Sequence, residues 1–373
     1  TMACKTERDG ARTWIEGVWD GVCGVDWDAS QRALAAALSA ALGVPVDFDE
    51  LLVASTDAFA AVSSDVYQDV TYLAAAQDVL TDGARYYGFD GEWAFPESFE
   101  QARGIVRSEI DAGRAVPTGG AAQPYGCPPW GIAVGYDDHA TTVCLAGYGA
   151  SGGTRWHDVR GDCGREDTGP WNGRVRGLLT ERNAFWLERP LFVLGPRVAT
   201  PAPLAARLAV LRATVTAMRA APHRIDYWGG VTYFMGIAAL RHLADGLATL
   251  DYPAVAEMPR PDDAYDWWNV YGVLLTTADM VMRGRAAAAR VFRRWADEDP
   301  SLRALDDCVP LLAEAADVGA ALFDELHSEE DLPADGAWRE RASAAFGRIA
   351  ELDERCAGAM CALTRSRSRT SAA

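Results

Sequence analysis

The chain of 373 residues is poor in basic residues, has no closely paired cysteines and carries no long apolar run. Each lack argues against a class of function. Only 35 Lys and Arg stand against 53 Asp and Glu, a net charge of −18, so the clustered cations that phosphate contacts require are missing and a nucleic-acid partner is not expected. An acidic surface of this kind favours solubility. No run of 18 or more uncharged apolar residues occurs, so no membrane span is expected. The opening residues, Thr1-Met2-Ala3-Cys4-Lys5-Thr6-Glu7-Arg8, lack the basic-then-apolar pattern of a secretory signal, and the expected location is cytoplasmic. The eight cysteines include no CxxC pair and come closest at Cys356 and Cys361. Free thiols are expected, with neither a disulfide scaffold nor a zinc site, and no metal or cofactor.

What is present is a chain 49% hydrophobic and 24% charged, long enough to bury a sizeable core in two domains. Helical spacing of Ala33, Leu34, Ala37, Leu38, Ala41 and Leu42 predicts a first helix over 30–42, stopped by Gly43, with Asp28 at its N-cap or first turn. Further helices are expected over 48–54, 69–80 and 98–112. After Gly113 the period changes, and β-rich runs at 115–116, 131–136, 141–145 and 191–194 predict strands. Helices first and strands later make an α+β domain. The Gly-, Arg- and Asp-rich segment 149–176 reads as a long loop. A linker from Pro196 to Pro203 closes this domain at about residue 198. Beyond it, apolar stripes at Leu204/Leu208/Leu211/Val215/Met218, at Leu274/Ala278/Val281/Ala288/Val291/Phe292/Trp295 and at Leu305/Leu312/Ala315/Leu322/Leu326 predict an all-helical bundle over 204–363. An Arg/Ser tail over 364–373 is expected to be disordered.

Pro128 to Asp138 joins a Pro-rich turn to a buried strand ending Gly135-Tyr136-Asp137-Asp138. Together with Ala33 to Leu38, the segment Asp49 to Phe59, Glu109 to Val116, Phe185 to Leu194 and the Gly-x-Ala helix read at Tyr233 to Leu240, it resembles the peptidase C39-like, papain-like family, in its butirosin-biosynthesis H-like branch with a helical C-terminal domain. The resemblance implies a papain-like N-terminal domain and acyl transfer from a carrier-protein thioester to an amine, through a Cys at the N-terminus of the first helix. A helix N-terminus lowers a thiol pKa. The chain departs from the family at both catalytic positions. Asp28 stands in the nucleophile slot, with Cys23 five residues earlier, and Trp130-Gly131 stands where the strand would open with His.

The candidate catalytic residues are therefore Cys23, Asp26, Asp28 and His139. Cys23 is either a nucleophile served by His139 or His157, or a buried structural thiol. Asp28 is either a general base or ligand for a cationic group, or a helix cap. His139, in the turn after two Asp, is either a base or a solvated loop residue. His157 and Cys163 match no zinc spacing. For the substrate, Trp130 can stack on a planar or cationic group or pack in the core, and Cys127 can line the cleft or fill space beside Pro128 and Pro129. Trp27, Tyr136, Tyr227, Trp228 and Tyr233 belong to aromatic groups suited to a half-wet cleft. The function expected is a specialised-metabolism enzyme acting on a small amino or acyl substrate by acyl transfer or amide chemistry. The alternatives are a catalytically inactive papain-like protein binding a small molecule or carrier protein, and a cyclase or eliminase using Asp26 or Asp28 as base. A small-molecule substrate and an acyl carrier protein are the partners implied, and a homodimer is left open.

Overall fold

The computed structural model describes residues 5–18, 29–67, 78–94, 96, 99–118, 131–138, 142–146, 154–158, 191–198, 202–225, 231–256, 270–329 and 331–370. Their strands are β1 (Lys5–Asp9), β2 (Arg12–Glu16), β3 (Val62–Ser64), β4 (Glu92–Ala94), β5 (Val116–Thr118), β6 (Gly131–Asp137), β7 (Thr142–Ala146), β8 (Thr154–Asp158), β9 (Leu191–Val193), β10 (His223–Ile225) and β11 (Val231–Met235). The helices are α1 (Ala29–Leu42), α2 (Phe48–Ala54), α3 (Val79–Tyr86), α4 (Phe99–Asp111), α5 (Pro203–Met218), α6 (Ile237–Gly246), α7 (Tyr252–Ala256), α8 (Val270–Glu298), α9 (Val309–Ser328) and α10 (Gly336–Thr370). The protein is mixed α+β, with a sheet in its N-terminal region and helices dominating its C-terminal region. No helix among the described residues is long and apolar enough to cross a membrane.

Two compact units share the chain. One is Thr1–Leu51 with Leu80–Thr200, the other Leu52–Val79 with Pro201–Ala373. The boundary at residue 200 falls in the Pro-rich linker, yet the first unit is not the continuous stretch 1–198. Leu52–Val79 leaves it because β3 and a 3-10 turn at Asp57–Phe59 are built into the second unit.

In the first unit, antiparallel strands run in the order β1-β2-β6-β5-β9-β4, with β7 on β6 and β8 on β7. Strand β6 is the hub. It pairs with β7 along one edge, and along the other with β5 at its start and β2 at its end. All its residues are buried, as a short continuous apolar run between turn residues requires. Helix α1 packs against β5 and β6, and α4 against β2, β5, β6 and β9. Helix α1 stops at Gly43 (φ +69°), whose N–H donates to the Ser39 carbonyl at 3.0 Å in a left-handed cap that a side chain would strain.

The order of helices before strands is corrected here. The chain opens with the β1–β2 hairpin, which turns at Gly10-Ala11 with Gly10 at φ +58°. Strand β1, Lys-Thr-Glu-Arg-Asp, has no apolar alternation to announce it. Strand β8 forms within the segment read as a long loop, held by its pairing with β7.

The second unit is corrected from all-helical in the same way. Hairpin β10–β11 adds to β3 as a three-stranded antiparallel sheet, with α6 packed on β11 and β3 and α8 packed on β3. The stretch read as one Gly-x-Ala helix divides at Gly236, where φ is +54°. Before it, Val231-Thr232-Tyr233-Phe234 favours a strand by β-branching and aromatic content, and after it Ile237-Ala238-Ala239-Leu240 turns helical. The apolar stripes of α8 and α9 are buried as their spacing requires. Helix α10 buries Trp338, Ala342, Phe346, Ile349, Leu352, Cys356 and Met360 along one stripe, each large side chain contributing about 1.5–3 kcal/mol by removal from water. Residues 364–370 continue this helix instead of forming the disordered segment their composition predicts. Thr364 and Ser366 hydroxyls bond back to the Cys361 and Leu363 carbonyls, and Arg367 Nη2 donates to the Ser301 carbonyl at 2.9 Å.

Candidate functional site

Helix α1 is the natural place to look for a site in the first unit. Ala33 through Leu38 are all buried, so the helix is apolar around its circumference and lies inside the core. Its outer contacts are local. Arg32 lies 5.0 Å over the Phe48 ring, and Ser39 Oγ donates to the Ala35 carbonyl while accepting the Val46 N–H at 2.9 Å. The first turn holds no acidic residue. It does hold Gln31, which is fully buried, and neither Nε2 nor Oε1 has a hydrogen-bond partner among the described residues.

Tyr136 is placed at the far end of β6. Its ring is buried, its hydroxyl donates to Asp111 Oδ1 at 2.6 Å, and the Arg107 guanidinium lies 5.5 Å over the ring. Burial first, then the Asp111 hydrogen bond, pushes the phenol pKa up. The following acids are pinned as well. Arg12 Nε meets Asp137 Oδ2 at 3.1 Å, Arg8 Nη2 meets Asp138 Oδ2 at 3.3 Å, and Arg103 Nη2 donates to the Asp138 carbonyl at 2.6 Å. The Gly-Tyr-Asp-Asp turn is thus an anchor between β6, the β1–β2 hairpin and α4. Tyr136 serves packing and hydrogen bonding there.

Tyr233, the other described candidate, belongs to the second unit. It is buried in β11, paired with Ser64 of β3 and His223 of β10. Cys23, Asp26, Trp27, Asp28, Cys127, Trp130, His139, Tyr227 and Trp228 lie outside the described residues. His157 falls in β8, opposite Val143 of β7.

Sequence reasoning missed a cluster on the three-stranded sheet. Ser63 Oγ and His242 Nδ1 are 2.9 Å apart, and the imidazole is stacked between Phe234 at 4.1 Å and Tyr67 at 4.8 Å. Register explains the meeting, because Phe234 pairs with Ser63 and both present their side chains to α6. Burial pushes the His242 pKa down against the opposing pull of Asp65 and Asp245, and holds the Tyr67 phenol up at about 12. Tyr67 is buried at φ +53°, a left-handed conformation that costs a non-glycine residue energy. Ser63 is fully buried, so the pair braces β3, β11 and α6 together and offers no exposed nucleophile. The signal in the sequence was His242 on a helix that also carries the apolar Ile237, Ala239, Leu240 and Leu243.

Deeper in that unit, Arg285 and Asp353 form a buried ion pair, and Cys308 and Cys356 are neighbouring buried thiols, with Cys308 Sγ 3.8 Å from the Cys356 carbonyl. The hydrogen bond between the two thiols and then burial raise the Cys356 pKa, which makes it a poor nucleophile. A shallow groove along α8, bordered by Arg290, Arg293, Arg294, Asp297 and Glu298, mixes both charges and contains no nucleophile. Among the described residues no group of three His, Cys, Asp or Glu could hold a metal ion. In comparison with known proteins, no family model, no curated protein and no solved structure matches this chain.

Proposed function

We propose that the first unit is a papain-like domain of the C39-like, butirosin H-like kind, and that the chain is a specialised-metabolism enzyme acting on a small amino or acyl substrate by acyl transfer or amide chemistry. One observation carries the reading. Helix α1 buries Gln31 and Ala33 to Leu38 and lies against β5 and the hub strand β6, and its first turn holds no acidic residue. Free N–H groups at such an end stabilise a thiolate or a developing oxyanion. In acyl transfer the Cys23 thiolate attacks the carbonyl of a carrier-protein thioester and expels the carrier thiolate. The substrate amine then attacks the acyl-enzyme, loses its proton to a base such as His139 or His157, and leaves as the amide with the Cys23 thiol regenerated.

The second reading rests on Trp130-Gly131, which stands where the family opens this strand with His. A papain-like protein without that base would be a catalytically inactive binder of a small molecule or carrier protein. Iodoacetamide labelling of the folded protein near neutral pH, mapped by mass spectrometry, separates the two. The enzyme reading expects Cys23 to label well ahead of the half-buried Cys361, with Cys308 and Cys356 protected. Slow labelling of Cys23, with no amide formed by the wild type and substrate binding unchanged in Cys23→Ser, would leave only the binder.

A further inference from the structure

We infer that Gln31 and the first turn of α1 form a recognition site for a carboxamide or peptide-type amide group of the substrate. The inference rests on the papain-like reading of the first unit and names the chemistry its site takes. Gln31 is 0% exposed and both ends of its side-chain amide lack a partner among the described residues. Buried polar groups are nearly always hydrogen-bonded, so a donor and an acceptor left open together at one position mark a place prepared for a complementary group. Side chains of a helix lean toward its N-terminus, which directs the Gln31 amide to the helix start, where the first-turn N–H groups have no partner within the helix. No residue of that turn is acidic.

The donor and acceptor pattern selects the ligand. Nε2 and the helix N–H groups need an acceptor, while Oε1 needs a donor beside it. An amide presents a carbonyl oxygen and an N–H in one rigid plane and satisfies both. An ester or carboxylate supplies acceptors only and leaves Oε1 unpaired. A site built to hydrogen-bond an N–H discriminates strongly against the analogue without it, because its own polar group is then left buried and bare.

The test uses the full chain, selectively labelled with 15N-glutamine, titrated with N-acetyl-L-alaninamide and separately with methyl O-acetyl-L-lactate, the ester analogue that has no amide N–H. The Gln31 side-chain signal is assigned by its loss in Gln31→Met. The amide should shift the Gln31 NH2 resonances and bind at least about tenfold more tightly than the ester, a modest share of what such sites achieve. Gln31→Met, of similar volume without polar atoms, should remain folded with an equal or higher Tm and lose about tenfold or more in amide affinity. Equal binding of ester and amide, an unmoved Gln31 signal in the wild-type titration, or unchanged affinity in Gln31→Met would overturn the inference. The wild-type titration needs no variant to fold. Labelling at Cys23 reports separately on acyl transfer, so either idea can fail while the other stands.

Discussion

Arg285 of α8 and Asp353 of α10 face each other as a fully buried ion pair, with Nη2 2.6 Å from Oδ2. Arg285 Nη1 also donates to the carbonyls of Ala58 at 3.0 Å and Ala60 at 2.9 Å, and its guanidinium lies 5.6 Å over the Phe59 ring. One side chain therefore ties the 3-10 turn before β3 to two long helices. Removing one partner leaves an uncompensated charge in the core, so Asp353→Ala should cost about 3–5 kcal/mol. Urea unfolding followed through the second unit measures it. The double variant Arg285→Met/Asp353→Leu should recover only part of the loss, since the Ala58 and Ala60 carbonyls stay bare. Full recovery would mean those two bonds are dispensable.

Gly284, one residue earlier on α8, makes a second test of the same junction. A Cβ built there would lie 2.4 Å from the Ala58 carbonyl oxygen and 2.9 Å from its carbon, against backbone that has no rotamer to give. On exposed helix, Gly→Ala gains up to about 1 kcal/mol, and Gly358 of α10, with nothing within 4 Å, should show that gain. Gly284→Ala should instead lose about 1–3 kcal/mol through overpacking. Melting the two variants side by side reads the difference in sign, and two gains would mean the turn is not packed this closely.

His242 links stability to pH. Its folded pKa lies below its usual 6.5, with burial the largest cause, so the unfolded chain binds the proton more tightly than the folded one. The stabilising contribution is complete above about pH 6.5 and falls away as pH drops through the lower folded value. Urea midpoints of the wild type should decline more between pH 7 and pH 5 than those of His242→Phe, which keeps the stack on Phe234 without titrating. Parallel declines would show that His242 is not the group responsible.

Tyr136→Phe removes the hydroxyl bonded to Asp111 and leaves the buried ring beneath Arg107. Because Asp111 is about half exposed, its carboxylate regains water, and the expected loss is at the low end for a hydrogen bond to a charged group, roughly 1 kcal/mol. Binding of N-acetyl-L-alaninamide should not change. A weaker affinity without a stability loss would return Tyr136 to the substrate site.

The sequence by itself determined the elements whose periodicity is set by burial on a single scale. Helices α1, α2 and α4 form where their spacing marks them, and the hub strand β6 and the stripes of α8 and α9 bury the residues marked, because an element next to one core needs only its own pattern to be legible. The terminal glycines Gly43 and Gly113 were readable for the same local reason: each has positive φ at a helix end. Tertiary structure alone decided where short strands go. Strand β1 carries five residues without apolar alternation and exists through its pairing with β2. Strand β8 exists through β7, and the helix expected across Gly236 became hairpin and helix because β3 supplied an edge for β11 to join. The same pairing moved residues 62–64 into the second unit and brought Ser63 to His242 across 179 positions of chain. No local pattern encodes such a partner. Gln31 shows the converse: its polarity was visible in an apolar helix, but only its complete burial without a hydrogen-bond partner makes that polarity informative, since an exposed glutamine would be satisfied by water.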